Sequence, residues 1–190
     1  MVSYADVSVT DPTAQRMLAA YFAERAAGFP PQLGAYRTAF PDPEVFIPPA
    51  GVFIIAHDED DNPAGCGGVR SLPTGKRPDG GGTDQEGLAQ EGLAQEGLAQ
   101  EGLAQEGHRQ TVRYEIKHLW VDPAYRGLGL GRSILSELED RARGFGATEV
   151  VLDTNFSLEA AGALYRSSGY EAIEPYNDNP NATDWYRKVL

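Results

Sequence analysis

The sequence predicts a mixed α/β (α+β) fold in which helices flank one mixed sheet. Three stretches carry that expectation. "GVFIIAHD" and "AGCGGVRSL" are apolar runs separated by an Asn-Pro turn, the pattern of a buried hairpin. "TVRYEIKHLWV" alternates as a strand. "RSILSELEDRAR" sets Ile134, Leu135, Leu138 and Ala142 on one helical face.

The elements follow in order. "YADVSVT" (4–10) is a short alternating strand, and Asp11 then offers an N-cap with Pro12 at the first helical position. Ala14, Met17, Leu18, Tyr21 and Phe22 continue at helical spacing until Gly28. Residues 29–50 are proline-rich and irregular, with a short helix expected around Leu33–Thr38. The hairpin occupies 51–58 and 64–72. In the strand 111–121, Val112, Tyr114, Ile116 and His118 are expected on one face, with Arg113, Glu115, Lys117 and Leu119 on the other. After the glycine-rich loop and its helix, Gly144 and Gly146 act as stops, and "TEVVLDT" (148–154) is a buried strand. "SLEAAGALYRSSG" is a helix capped by Ser157, and "YEAIEPY" and "TDWYRKVL" close the chain as antiparallel strands.

Between the hairpin and the long strand lies a low-complexity tract. From Glu86 it holds four copies of "EGLAQ" and a fragment. Five residues advance ~500° around an α-helix, so successive leucines form no stripe. The odd period also defeats a strand, because it sends successive leucines to opposite faces. The expectation is one domain over 1–190 with a flexible loop insertion at about 72–109.

Composition sets limits. Across 190 residues the hydrophobic share is 41%, which suits a globular domain with a real core. No apolar run approaches the ~20 residues of a membrane span. The N-terminal stretch lacks the charge and apolar pattern of a signal peptide. Cys66 is the one cysteine, so no internal disulfide forms. His57, His108 and His118 stand apart from any metal-ligand spacing, and no metal is expected. These points favour a cytoplasmic setting without a membrane partner. A net charge of −12 argues against nucleic acid.

"YRGLGLGRSIL" sits in the least acidic part of the chain. A strand, a glycine-rich turn and a helix start make an anion site, since the first helical N–H groups are unsatisfied and the dipole favours negative charge. Gly127, Gly129 and Gly131 free the backbone to approach a diphosphate, and Arg126 and Arg132 could add charge-assisted bonds. A P-loop is excluded because no lysine follows. A dinucleotide-binding unit wants G-x-G-x-x-G, but the third glycine comes one residue early. No second βαβ half fits in the 37 residues after Asp153.

Arg126-Gly127-Leu128-Gly129-Leu130-Gly131 satisfies [RQ]-x-x-G-x-[GA], and so resembles the pyrophosphate loop of the GNAT superfamily of acyl-CoA-dependent N-acyltransferases. "HLWVDPAYRGLGLGRSIL" is similar to that family's fourth strand, loop and third helix. "VVLDTNFSLEAAGALYRSSGY" is similar to its fifth strand and fourth helix. The likeness is strong over about 111–175.

The resemblance implies a mostly antiparallel sheet whose two central parallel strands splay apart around acetyl-CoA, the cosubstrate. It places the pantetheine arm on the main chain of Leu119, Trp120 and Val121. It places the diphosphate on Gly127, Leu128, Gly129, Leu130, Gly131 and Arg132, with Ser133 just behind and Asn155 as a further pantetheine contact. Tyr165 would protonate the leaving thiolate, and Glu115 would act as general base, directly or through water. The implied activity is N-acetyl transfer to a primary amine of a small molecule, amino acid or peptide through a ternary complex. The alternative is a non-catalytic acyl-CoA sensor or interaction module. Family members are often dimers, and nothing in the sequence fixes the oligomeric state. Tyr176, Asn177, Asp178 and Asn179 could offer acceptors to an ammonium, so a small cationic amine, an amino acid or a peptide N-terminus is expected as acceptor.

Overall fold

The computed structural model describes residues 2–72 and 111–190. The proposed insertion therefore lies almost wholly outside the described residues. The elements run β1 (Ser3–Val7), α1 (Pro12–Ala27), β2 (Gly51–His57), β3 (Pro63–Ser71), β4 (Arg113–Val121), α2 (Leu130–Gly144), β5 (Glu149–Thr154), α3 (Glu159–Ser167), β6 (Glu171–Ile173) and β7 (Asp184–Val189). The described strands form one sheet in the order β1-β2-β3-β4-β5-β7-β6. Only β4 and β5 pair in parallel.

Helix α1 starts as the sequence expects. An Asp11 carboxylate oxygen accepts from the N–H groups of Thr13 (2.7 Å) and Ala14 (3.2 Å), with Pro12 in the first turn. The short helix expected at Leu33–Thr38 is absent. Two single 3-10 turns stand at Pro31–Leu33 and Pro43–Phe46, the first ended by Gly34 at φ +89°. Prolines that hold the preceding residue extended leave no room for a longer helix.

Both faces of the sheet are covered, and β2 shows the division. Val52, Ile54 and Ala56 join the α2-side core with Ile134, Leu135 and Leu138; Phe53 and Ile55 join the α1-side core with Leu18, Phe22 and Trp120. Burial on both faces explains why this strand reads as a continuous apolar run.

The long strand β4 departs from its expected alternation. Cys66 pairs with Trp120 and Gly68 with Lys117, so His118 and Leu119 together oppose the single residue Gly67. This is a β-bulge, and His118 adopts φ +56° to make it. The extra residue swaps the faces beyond it. Tyr114 and Ile116 lie in the α2-side core, where Leu119 and Val121 also pack. His118 instead meets the rings of Tyr21 and Phe22, each at 5.6 Å between centroids. Gly67 permits close packing here, since a Cβ would stand 2.8 Å from Leu138 Cδ1.

The consequence for β5 is immediate. The parallel pairing covers Arg113–Glu149, Tyr114–Val150 and Glu115–Val151 and then stops, although both strands continue. From Ile116 onward β4 has a partner on its β3 side alone.

Candidate functional site

Two cavities meet where β4 and β5 part. The larger, about 920 Å³, is lined by Leu119, Trp120 and Val121 of β4, by Arg126, Gly127 and Gly129–Arg132 of the loop, and by one face of α3. The smaller, about 330 Å³, lies between β4, β5, α1 and the links following α1 and β6. Tyr165 and Leu119 line both.

The glycine-rich loop supplies the larger cavity with an open helix start. Gly127 (φ +79°) and Gly129 (φ +82°) are left-handed, and α2 begins at Leu130 with no side-chain cap. Uncapped N–H groups and a helix dipole form a cradle for an anion such as a diphosphate. The flanking arginines line this cavity and also bond within the protein. Arg126 Nη2 donates to Glu24 Oε2 (2.5 Å), and its Nε donates to the Val121 carbonyl (3.0 Å). Arg132 donates to the Ser167 carbonyl (3.1 Å), Ser167 Oγ (2.7 Å) and Ser168 Oγ (3.1 Å) at the C-terminal end of α3. Glu24 also accepts from Trp120 Nε1 at 2.9 Å. Burial would raise the Glu24 pKa, but the bonds from Arg126 and Trp120 outweigh it and hold the carboxyl below its ordinary value. Ser133 Oγ bonds Tyr4 Oη, and Leu128 is exposed.

Tyr165 stands at the junction, buried, with its ring held against Tyr170 and Tyr186 at 5.9 Å each. Burial pushes its hydroxyl up to about 12, so it keeps its proton at neutral pH.

Glu115 is fully buried and does not line either cavity. One oxygen accepts from Arg70 Nε (2.8 Å) and Nη2 (2.6 Å). The other accepts from Tyr176 Oη (2.8 Å) and Asn177 Nδ2 (3.3 Å), and lies 3.1 Å from Lys117 Nζ. Such a carboxylate is saturated with donors.

Asn155 lines the smaller cavity, with both ends of its amide engaged. Nδ2 donates to the Asn181 carbonyl (3.0 Å), and Oδ1 accepts from the Ser157 N–H (3.1 Å). That turn replaces the expected Ser157 cap; α3 starts at Glu159 without one.

Asp153, near the end of β5, lines the smaller cavity. It accepts from Lys117 Nζ (3.0 Å), Asn177 Nδ2 (2.7 Å) and Asn179 Nδ2 (3.1 Å). Burial raises its pKa, yet Lys117 and the two amides more than offset this and hold it below the usual carboxylate value. The β4–β5 register carried two residues past Glu115–Val151 sets Lys117 beside Asp153, a pairing readable only once the register is known.

In the polar loop, Asp178 is exposed and lines neither cavity, and its neighbours' polar groups are engaged within the protein. Tyr176 donates to Glu115, and Asn177 Oδ1 accepts from Trp185 Nε1 (2.9 Å). Asn179 Oδ1 accepts from the Asn181 N–H (3.1 Å). Among the described lining residues, Arg25, Arg37, Arg70 and Lys117 are cationic, against Asp153 alone. Sequence reading missed these cations because they arise from four separate elements. His118 also lines this cavity; burial, then Lys117 and Arg70, push its pKa down to about 3, leaving it neutral. Cys66 is fully buried and its thiol is pushed up to about 12 by burial, which makes it inert.

Comparison with known proteins bears on this geometry. The family model described as "Acetyltransferase (GNAT) family" matches residues 14–170. The chain is 47% identical over 60 residues to N-alpha-acetyltransferase RimI of Mycobacterium tuberculosis, which is 32% of this chain and 36% of that protein. In the first curated relatives matched, the shared stretch spans 18–40% of their length. Among solved structures, a GNAT-family acetyltransferase of Staphylococcus aureus Mu50 superposes with a TM-score of 0.66 at 14% identity, covering 100% of this chain and 99% of that one. A structure of the NatC complex bound to Gag peptide and CoA gives 0.60 at 16% identity, covering 100% and 98%. These two share the fold. No helix among the described residues is long and apolar enough to cross a membrane.

Proposed function

The chain belongs to the GNAT acetyltransferase family, and on that premise we propose that it transfers an acetyl group from acetyl-CoA to a primary amine. The observation that carries this reading is the early end of β4–β5 pairing at Glu115–Val151, which opens a cavity running from an uncapped helix start to Tyr165. The larger cavity fits a coenzyme A arm. Main-chain groups on the β5-facing edge of β4, around Leu119, Trp120 and Val121, can bond its amides as an added strand would. Amides of Gly127 through Arg132 can hold its diphosphate. Bound there, acetyl-CoA would supply an acetyl group activated as a thioester.

The amine reaches that group from the smaller cavity, and nitrogen bonds to the acyl carbon as the carbon–sulfur bond breaks. Nitrogen loses a proton and sulfur gains one. Tyr165 lines both cavities and holds its proton at neutral pH, so it is the group to donate toward sulfur. Main-chain N–H groups on the free edge of β4 would stabilise the oxyanion. Glu115 is better suited to positioning Arg70, Lys117, Tyr176 and Asn177 than to taking a proton itself.

The test joins calorimetry with coenzyme A to thiol release from acetyl-CoA across an amine panel. Binding and amine-dependent thiol release are expected. Absence of heat with coenzyme A at millimolar concentration would sink the proposal, and binding without release for any amine would reduce the protein to an acyl-CoA sensor.

A further inference from the structure

We infer that the acceptor is a small primary amine that also carries an acidic group, a carboxylate or a phosphate, held by the cations of the smaller cavity. The inference rests on the acetyl-transfer reading and adds the substrate class.

The charge of the lining comes first. Arg25, Arg37, Arg70 and Lys117 face a volume of about 330 Å³ in which Asp153 is the single carboxylate among the described residues. Glu24 and Glu115 pair with Arg25 and Arg70 from outside this lining, and positive charge still exceeds negative. In a chain of net charge −12 this is a local reversal. Asp153 already accepts from Lys117, Asn177 and Asn179, which leaves little to draw an ammonium. The Arg37 side chain makes no ion pair or hydrogen bond with another described residue. A guanidinium without a partner among the described residues is suited to a carboxylate or phosphate.

Size follows from a clasp. Asn181 Oδ1 accepts from the Arg37 N–H (2.9 Å), and Asn181 Nδ2 donates to the Arg37 carbonyl (2.8 Å). The link after α1 is thereby fastened to the link between β6 and β7, the two walls that border the cavity. Such a roof favours a compact acceptor over an extended peptide.

The same charge assists the chemistry. Surrounding cations disfavour the ammonium, so the bound amine gives its proton to solvent more readily and becomes the nucleophile. The acidic group supplies the attraction that the ammonium cannot. No carboxylate base beside the nitrogen is then needed.

The experiment compares matched pairs by thiol release: amino acids with their amides, and O-phosphoethanolamine with ethanolamine. Spermidine and a hexapeptide serve as the polycation and the extended acceptor. At least one acidic amine is expected to exceed its neutral-tailed counterpart by about tenfold or more in kcat/KM. The acid whose advantage is larger names the group as carboxylate or phosphate. Arg37→Ala should shrink that ratio and Arg37→Glu abolish it. Saturation-transfer NMR of the same compounds, without acetyl-CoA, should show the acidic amines contacting the wild-type protein more strongly than their partners. Equal turnover of the pairs, or a best substrate among spermidine and the hexapeptide, overturns the inference while acetyl transfer stands. If no amine releases thiol, transfer itself fails, and the NMR arm alone decides whether the cavity selects an acidic group.

Discussion

The Asn181 side chain bonds both the N–H and the carbonyl of Arg37, 144 residues away in sequence, at 2.9 and 2.8 Å. It serves the link after α1 as a strand neighbour would. Asn181→Ala removes two hydrogen bonds, each worth about 1 kcal/mol, and unfastens that link from the β6–β7 connection. Steady-state kinetics should show KM for the amine rising several-fold, with KM for acetyl-CoA unchanged. An unchanged amine KM means that the clasp does not shape the acceptor site.

Tyr165→Phe keeps the ring contacts with Tyr170 and Tyr186 and deletes the hydroxyl. With a thiol of pKa ~8.5 as leaving group, the loss in kcat should sit at the low end for a general acid, about 100-fold. Coenzyme A affinity by calorimetry should be preserved. Full activity would make Tyr165 a packing residue.

Glu115→Gln separates base from scaffold. Arg70 and Lys117 lose their shared countercharge, and breaking such a buried pair should lower stability by about 3 kcal/mol, read from the urea midpoint. A variant that keeps wild-type stability but loses transfer would restore Glu115 as the base.

Gly129 sits at φ +82° with open space where a Cβ would project. Gly129→Val therefore acts through backbone strain, about 1–2 kcal/mol for the left-handed region, and not through a clash. Calorimetry should show coenzyme A binding weakened about tenfold, while melting temperature falls by only a few degrees.

His118 supplies the pH dependence. Burial, then Lys117 and Arg70, bring its pKa down to about 3 in the fold, against about 6.5 in an unfolded chain. The unfolded state binds the extra proton between those values, so the contribution is whole above pH ~6.5 and is lost as pH falls toward 3. His118→Asn retains a residue that tolerates positive φ. Its melting temperature should decline less between pH 7 and pH 4 than that of the wild type; parallel curves would show that the imidazole is not held neutral.

Much of the fold is legible because its causes are local. Asp11-Pro12 announces α1, the apolar period of Ile134, Leu135, Leu138 and Ala142 announces α2, and the run 51–57 announces a strand buried on both faces. The glycine loop is legible for the same reason, since left-handed Gly127 and Gly129 leave their mark in six consecutive residues. The bulge at His118 is not, because the letters on either side alternate whether or not a residue is added. Glu115 reads as a base or as a paired strand residue until Arg70 and Tyr176, 45 and 61 positions away, are placed beside it. The smaller cavity's charge is hidden still more deeply: an acidic composition says nothing about which cations four distant segments will turn toward one space.

Two residues of β4 answer one of β3 at Gly67, so the forked sheet is written into the chain as a whole number. Deleting either His118 or Leu119 would restore the one-for-one count, with the remaining residue opposite Gly67 and Trp120 still opposite Cys66. Side-chain substitutions alone do not change that count. A change of that count takes the insertion or deletion of a whole residue, a single codon.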